Sequence, residues 1–323
     1  MIKIRYILLL VFIFSHVVGN GQASKMMYAD TTRSGKPFSK NPHVIRFKGR
    51  FLMYSSVLPQ KGKNAREIEI TESSDLIHWK NVGYIYATES YEKNGISAPC
   101  VLVIKGKVHI FYQTYGNGVN DAICHAVSTN GITSFIRNAT NPIFKPNGKW
   151  TCGRAIDAEV FYFKGKYLMY FATRDPNYKF QLQGVASTPA NSSFCKNTWA
   201  HLTVNEPAVK PELQWEGDCI EATSFIYKNK KLYMFYAGGY HNTPQQIGVA
   251  VSTDGLHWKR LSLEPFIRVG KQTEWNSTES GHPNIFEYKK RTYLFFQGNN
   301  DHCQTWWISN IEVFWNKNGP FLK

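Results

Sequence analysis

The feature that most constrains this chain is a segment that occurs five times. Asn41-Pro-His-Val-Ile-Arg-Phe-Lys-Gly-Arg-Phe-Leu-Met-Tyr-Ser-Ser56 is followed by versions of itself that begin at Ala98, Asp157, Glu221 and His282, at intervals of 57, 59, 64 and 61 residues. Each copy reads as an alternating apolar strand, a Lys-Gly or Lys-Asn turn and a second, aromatic strand, which is the pattern of a hairpin. A third strand follows each copy, within residues 67–74, 122–128, 183–187, 246–252 and 304–309. Turns such as Ser252-Thr-Asp-Gly-Leu-His-Trp258 then lead to an outer strand, with Trp79 and Trp258 closing blade edges. A four-stranded unit of this size cannot bury its faces alone, so five of them predict an all-β, five-bladed β-propeller. One domain is expected over residues 24–323. Its segment 24–39 completes the ring, and its tail 314–323 pairs back onto the first blade or trails. No segment sustains a helical apolar period, so no helix of any length is expected.

Of the 323 residues, 43% are apolar and 15% aromatic, ample for such a core. Residues 1–23 carry Lys3 and Arg5, an apolar run from Ile7 to Phe14, then small residues up to Ala23, the order of a secretory signal. The run is short for a membrane span. The expected location is therefore periplasmic or extracellular, with no stable membrane insertion after cleavage. The formal charge of +15 is spread over single Lys and Arg residues, many in the turns between strands. That distribution reads as solvated turn charge rather than a nucleic-acid face, and it leaves an anionic polysaccharide open as a substrate. Six cysteines without a CxxC spacing are either disulfide partners outside the cytoplasm or buried thiols.

In a propeller the inner strands line the axis, so the first residues of the five copies converge at one mouth of the channel. Asn41, Ala98, Asp157, Glu221 and His282 would then form a ring. Acidic residues are depleted in strand interiors, so this ring points to chemistry, the alternative being strand-entry residues bonded to loop backbone. Two carboxylates across a pocket suffice for glycosidic cleavage, one protonating the leaving oxygen and one activating water or attacking carbon. A further carboxylate beside the donor raises its pKa. Trp150, Trp215 and Trp275 precede Asp157, Glu221 and His282 by seven, six and seven residues. They are read either as stacking platforms for sugars or as seals between blades. Arg154 is expected in the pocket and Arg174 toward the opposite face. Glu279 and Gln245 are weaker candidates.

These residues carry a resemblance. The order Asn41-Pro, Ala98-Pro, Asp157, Glu221-Ala and Gly281-His resembles glycoside hydrolase family 43 and related five-bladed glycosidases, over about residues 37–310. The resemblance implies a hydrolase that cleaves arabinofuranoside- or xyloside-type linkages in oligosaccharides or polysaccharides with inversion. It makes Glu221 the general acid and Asp157 the residue that orients and tunes it, with no required cofactor. His282 becomes the central-channel residue that in relatives helps to hold a calcium ion or a water cluster. The general-base position falls on Asn41, whose amide cannot take a proton from water, and loss of such a base removes ~10²–10⁴-fold of rate. Four accounts of Asn41 stand side by side, one being that the sequence is a variant of an active parent. The chain is a non-catalytic glycan-binding propeller, or a loop carboxylate (Asp30, Asp121, Asp175 or Glu279) reaches the pocket, or phosphate replaces activated water in a phosphorylase.

Overall fold

The computed structural model describes residues 26–241 and 243–323, and within them the five copies become five antiparallel sheets set round an axis. The expected signal segment, 1–23, lies outside the described residues. From axis to rim, blade one is Lys40–Phe47, Arg50–Val57, Glu67–Ser73 and Lys80–Ile85. Blade two is Ile96–Ile104, Lys107–Thr114, Ile123–Ser128 and Ile136–Arg137. Blade three is Ile156–Phe163, Lys166–Arg174, Gln181–Pro189 and Ala200–His201, and blade four is Ile220–Lys228, Lys231–Gly238, Gln246–Ser252 and Lys259–Arg260. Blade five takes Glu279–Tyr288, Arg291–Asn299 and Trp307–Asn316 from the end of the chain and its rim strand, Met27–Tyr28, from the beginning. Met27 opposite Ser309 thus closes the ring, as expected for segment 24–39. The tail does not reach blade one: Gly319–Phe321 folds back on Trp307–Asn316, with Phe321 opposite Phe314. Among the described residues the only helical turns are four short 3-10 turns.

The core lies in the seams. Buried Tyr54 of blade one packs with Ile110 and Tyr112 of blade two, and Tyr170 of blade three with Met234 and Tyr236 of blade four. Two of these tyrosines also latch one blade to the next. Tyr54 Oη donates to Gly131 O at 2.6 Å, and Tyr170 Oη donates to Gly255 O at 2.5 Å while accepting from Trp258 Nε1 at 2.7 Å. Tyr170→Phe leaves a buried carbonyl and an indole N–H without their partner, so we expect a loss of roughly 2–3 kcal/mol. The denaturant midpoint of the folded chain, at unchanged slope, checks it.

Near its start every inner strand carries a bulge, where one residue takes a left-handed backbone: Asn41 (φ 54), Ala98 (φ 49), Asp157 (φ 48), Ala222 (φ 47) and His282 (φ 48). Such a kink re-aims the strand entry toward the axis. It also corrects the fourth copy, since the partner of Asp157 there is Ala222 rather than Glu221. Glu221 stands one residue earlier, opposite Ala237, in the same register as Lys40, opposite Ser56. The slip arises at the turn. Lys228-Asn229-Lys230 imitates the Lys-Gly-Lys of the other copies, but the two-residue turn is Asn229-Lys230, both left-handed, with Lys228 still in the strand opposite Lys231.

Candidate active site

The kinked entries are pinned from the neighbouring blade. Asn41 N–H donates to Gln297 Oε1 at 2.9 Å, Ala98 N–H to Ser56 Oγ at 2.8 Å and Asp157 N–H to Gln113 Oε1 at 2.7 Å. Each acceptor sits on the second strand of the preceding blade, so the strained residues are held in place by the ring itself. Pinned in this way, Asp157, Glu221 and His282 bring one ligand-type atom each within 4.8 Å of one another, all three side chains buried. The shift of register does not separate them, because bulged and preceding residues both look into the mouth.

Glu221 is the most heavily bonded member. Gln245 Nε2 donates to its Oε1 at 2.6 Å, Gln181 Nε2 donates to its Oε2, and His282 Nε2 lies 3.3 Å from Oε1. The other ring nitrogen of His282, Nδ1, lies 2.6 Å from Asn41 Nδ2. With its proton on Nε2, His282 therefore donates to Glu221 and accepts from Asn41. A second proton on Nδ1 would force the Asn41 amide to turn its oxygen inward.

Burial would push both carboxyls up, yet they part. Asp157 is carried up to about 6 by burial, with His282 pulling down and the charge of Glu221 pushing up. Glu221 also feels burial, but the bond and charge of His282, with smaller contributions from His241 and Gln245, outweigh it and hold the group below its ordinary range. His282 rises in return: burial lowers it, and the bond to Glu221 and the charges of Asp157 and Glu221 more than reverse that. Like-charge repulsion, expected on Glu221, thus appears on Asp157.

The other sequence candidates divide. Arg154 does stand at the mouth, its Nε 3.6 Å from Asp121, and its charge reaches Asp157. Arg174 stands on the same face, against expectation, because an antiparallel hairpin brings the end of its second strand back beside the start of its first; Cys152 N–H donates to Arg174 O at 2.8 Å. Trp150, Trp215 and Trp275 pack in the blades. Trp150 Nε1 donates to Thr203 O at 2.7 Å and Trp215 Nε1 to Leu263 O at 3.1 Å, while Trp215 stacks on Tyr236 and Trp275 packs on Phe296. Their even spacing marks a repeated seam contact. Of the loop carboxylates, Asp30 caps Thr32 near Arg33, Asp121 holds Asn117 and Thr114, Asp175 closes its own loop through Asn177 and Phe180, and Glu279 faces His241 at 3.0 Å. None of the four bonds Asn41 directly, though Glu279 accepts from Gln297 Nε2 at 3.4 Å, the side chain whose oxygen pins Asn41. Residues not foreseen are Gln181 and Lys40, and His241 beside Glu279. All six cysteines are free thiols. A cavity of about 510 Å³ on blades two and three, lined by His109, His125, Arg137 and Phe194, shares no residue with the ring.

Beneath the ring, two residues further along the inner strands, stand His43, Cys100, Glu159, Ser224 and Asn284. They act as a second set of clamps: Cys100 Sγ accepts from Val160 N–H at 3.2 Å, Ser224 Oγ from Ile285 N–H at 3.1 Å and Asn284 Oδ1 from Val44 N–H at 2.9 Å. Calcium takes roughly six to eight oxygen ligands. Here His282 has both nitrogens engaged above a layer that contains an imidazole and a thiol, so the residues do not fit that ion. Glu159, 3.5 Å from His43 and bonded by Ser224 at 3.3 Å, is pushed up to about 8 by burial.

A carboxyl with a raised folded pKa stabilises the fold most below its unfolded value of 4.5, and that contribution is lost as pH climbs to about 8. His43, lowered by burial from 6.5 to about 4, adds stability with rising pH between those values and so masks the loss there. Glu159→Gln is expected to gain on the natural chain steadily from pH 4.5 to 8, by roughly 3–5 kcal/mol in all. Paired denaturation curves at pH 5 and pH 8 read that difference, and an equal gain at both would contradict it.

The family model described as Glycosyl hydrolases family 43 matches residues 35–317. No curated protein matches the chain in sequence. Among solved structures, an endo-1,4-beta-xylanase from Bacteroides thetaiotaomicron is similar with a TM-score of 0.70 at 22% identity, over 88% of this chain and 94% of that one. An alpha-L-arabinofuranosidase from Lactobacillus brevis gives 0.66 at 16%, over 91% and 95%. A Cellvibrio cellulosa alpha-L-arabinanase complexed with arabinohexaose gives 0.64 at 15%, over 89% and 96%.

Proposed function

Because the chain belongs to glycosyl hydrolase family 43 and is thus a glycoside hydrolase, we propose that it is a secreted enzyme cleaving arabinofuranoside- or xyloside-type linkages with inversion. In this reading Glu221 protonates the leaving oxygen, Asp157 and His282 set its charge, and Asn41 occupies the place from which water is activated. The observation that carries the reading is the convergence of Asp157, Glu221 and His282 within 4.8 Å at the mouth of the channel. The pentose preference is supported by the substrates that the names of the arabinanase, arabinofuranosidase and xylanase relatives print. Export is supported by the order of charge, apolar run and small residues in residues 1–23.

Glu221 enters the cycle ionised, held by His282 and two glutamine amides. The proton it needs is one transfer away, across the 3.3 Å contact with His282, when that ring is the imidazolium and the Asn41 amide has turned its oxygen to Nδ1; the transfer leaves neutral imidazole. Asn41 can orient water by hydrogen bonds but takes no proton from it, so slow turnover is the expected state of the natural chain. A panel of aryl α-L-arabinofuranosides, aryl β-D-xylosides, aryl hexopyranosides and the corresponding oligosaccharides tests the substrate class. Release from pentosides is expected, and release from hexosides alone would overturn the pentosyl assignment.

A further inference from the structure

The loops that join second to third strands, among the described residues 58–66, 115–122, 175–180, 239–241 with 243–245, and 300–306, surround the mouth where the inner strands begin. Strand ends and loops at this mouth carry a group of cations that the cleavage of a neutral pentoside does not use: Lys40 starts an inner strand, Arg174 ends a second strand and Arg66 lies in a loop. Lys40 shares the register of Glu221 and is only 8% exposed. Its Nζ lies 3.8 Å over the Trp306 ring and 3.4 Å from His241 Nε2. Among the described residues no carboxylate comes within 4 Å of it. The nearby acid, Glu279, is committed to the other side of His241, at 3.0 and 3.1 Å from Nδ1. Arg66 stands close by, its guanidinium 4.3 Å from the Tyr115 ring and 5.3 Å from the Phe38 ring. It too makes no ion pair among the described residues. Arg174 lies over Tyr240 at 5.1 Å on the same face.

Two largely buried cations, near enough for Arg66 to disfavour the charge on Lys40, are costly unless an anion joins them. Aromatic faces on one side of each leave the hydrogen-bonding edges for a ligand. A guanidinium fork matches a carboxylate with two parallel bonds, and an ammonium adds a point charge. Trp306, Tyr115 and Tyr240 add apolar faces of the kind sugar rings stack on.

We infer that the mouth beside Glu221 is an oxyanion subsite formed by Lys40 and Arg66, with His241 holding Lys40 in place, and that the glycan taken by the enzyme carries a carboxylate there, as a uronic acid next to the cleaved linkage does. The inference rests on the hydrolase reading for its glycan and on the geometry above for its charge. Free inorganic phosphate presents the same chemistry and is the other source of the anion.

Titration calorimetry in a Glu221→Gln background separates binding from turnover, so its outcome is independent of the release panel. The probes are a xylotetraose bearing one glucuronic acid branch and the same oligosaccharide with its carboxyl reduced to the alcohol. We expect the acid form to bind at least about tenfold more tightly, and Arg66→Gln added to the background to erase most of that preference, as charge-assisted bonds of this type imply. In a parallel arm, a rise in thermal midpoint with millimolar phosphate, abolished by Arg66→Gln and accompanied by equal affinities for the two oligosaccharides, assigns the subsite to the free anion. Equal affinities without a phosphate response, or an acid preference that survives Arg66→Gln, overturn the proposal.

Discussion

Asn41→Asp raises kcat on the best pentoside of the panel by about two to four orders of magnitude, the size of a general-base contribution. The argument is local. Asn41 is one of the five left-handed entry residues, pinned by Gln297 in the way Gln113 pins Asp157. A carboxylate of the same shape therefore inherits a prepared position. It also lies against His282 Nδ1, where the amide now stands at 2.6 Å. A carboxylate there accepts the Nδ1 proton of an imidazolium that an amide must rotate to accept. The substitution is therefore expected to raise the His282 pKa further as well as to supply the base. Initial rates of the natural chain and the variant under saturating substrate check the size. A change of less than about threefold would place the base elsewhere.

Glu221→Gln is expected to have the second largest effect, a loss of about 10²–10⁴ in kcat on natural oligosaccharides. The loss should depend on the leaving group. An aryl glycoside with an acidic phenol departs without a proton, so on that substrate the deficit shrinks. A merely structural role for Glu221 would lower all substrates alike. The comparison is made with Asn41→Asp present in both proteins, so that the rates are measurable. The pH profile adds a sign. Because Glu221 is held ionised and draws its proton from His282, whose own pKa is raised, against burial, by the two carboxylates, the proton is lost as pH rises through the His282 titration, and activity should fall on the alkaline side. Glu221→Gln should lose that limb on the activated aryl substrate.

Much of this was legible in the chain because the repeat is a physical unit. Five hairpins of one pattern gave the blade count, and their common start placed Asn41, Asp157 and His282 together. Glu221 was legible as a member of the group but misplaced by one residue, because Lys228 is a strand residue with the look of a turn. The bulge hides that error, since the kinked residue and its predecessor both face the mouth. The even offsets of Trp150, Trp215 and Trp275 were real but structural: a repeat preserves its seams as faithfully as its site. Arg174 was misassigned for want of following the hairpin back to its origin. Lys40 and Arg66 had no local signal, being two of many scattered cations, and only the closing of blade five against blade one sets Trp306 under Lys40. The clamps could have been found, since Ser56, Gln113 and Gln297 each end a copy of the repeat on a polar residue in an otherwise apolar strand.

The central claim is a single displacement, with Glu221 delivering the proton and water attacking from the side of residue 41. The most direct test is the proton NMR spectrum of the sugar first released by Asn41→Asp from an aryl α-L-arabinofuranoside or β-D-xyloside, recorded before the anomers equilibrate. The account predicts the inverted anomer as the first product, and a first product of retained configuration would contradict it.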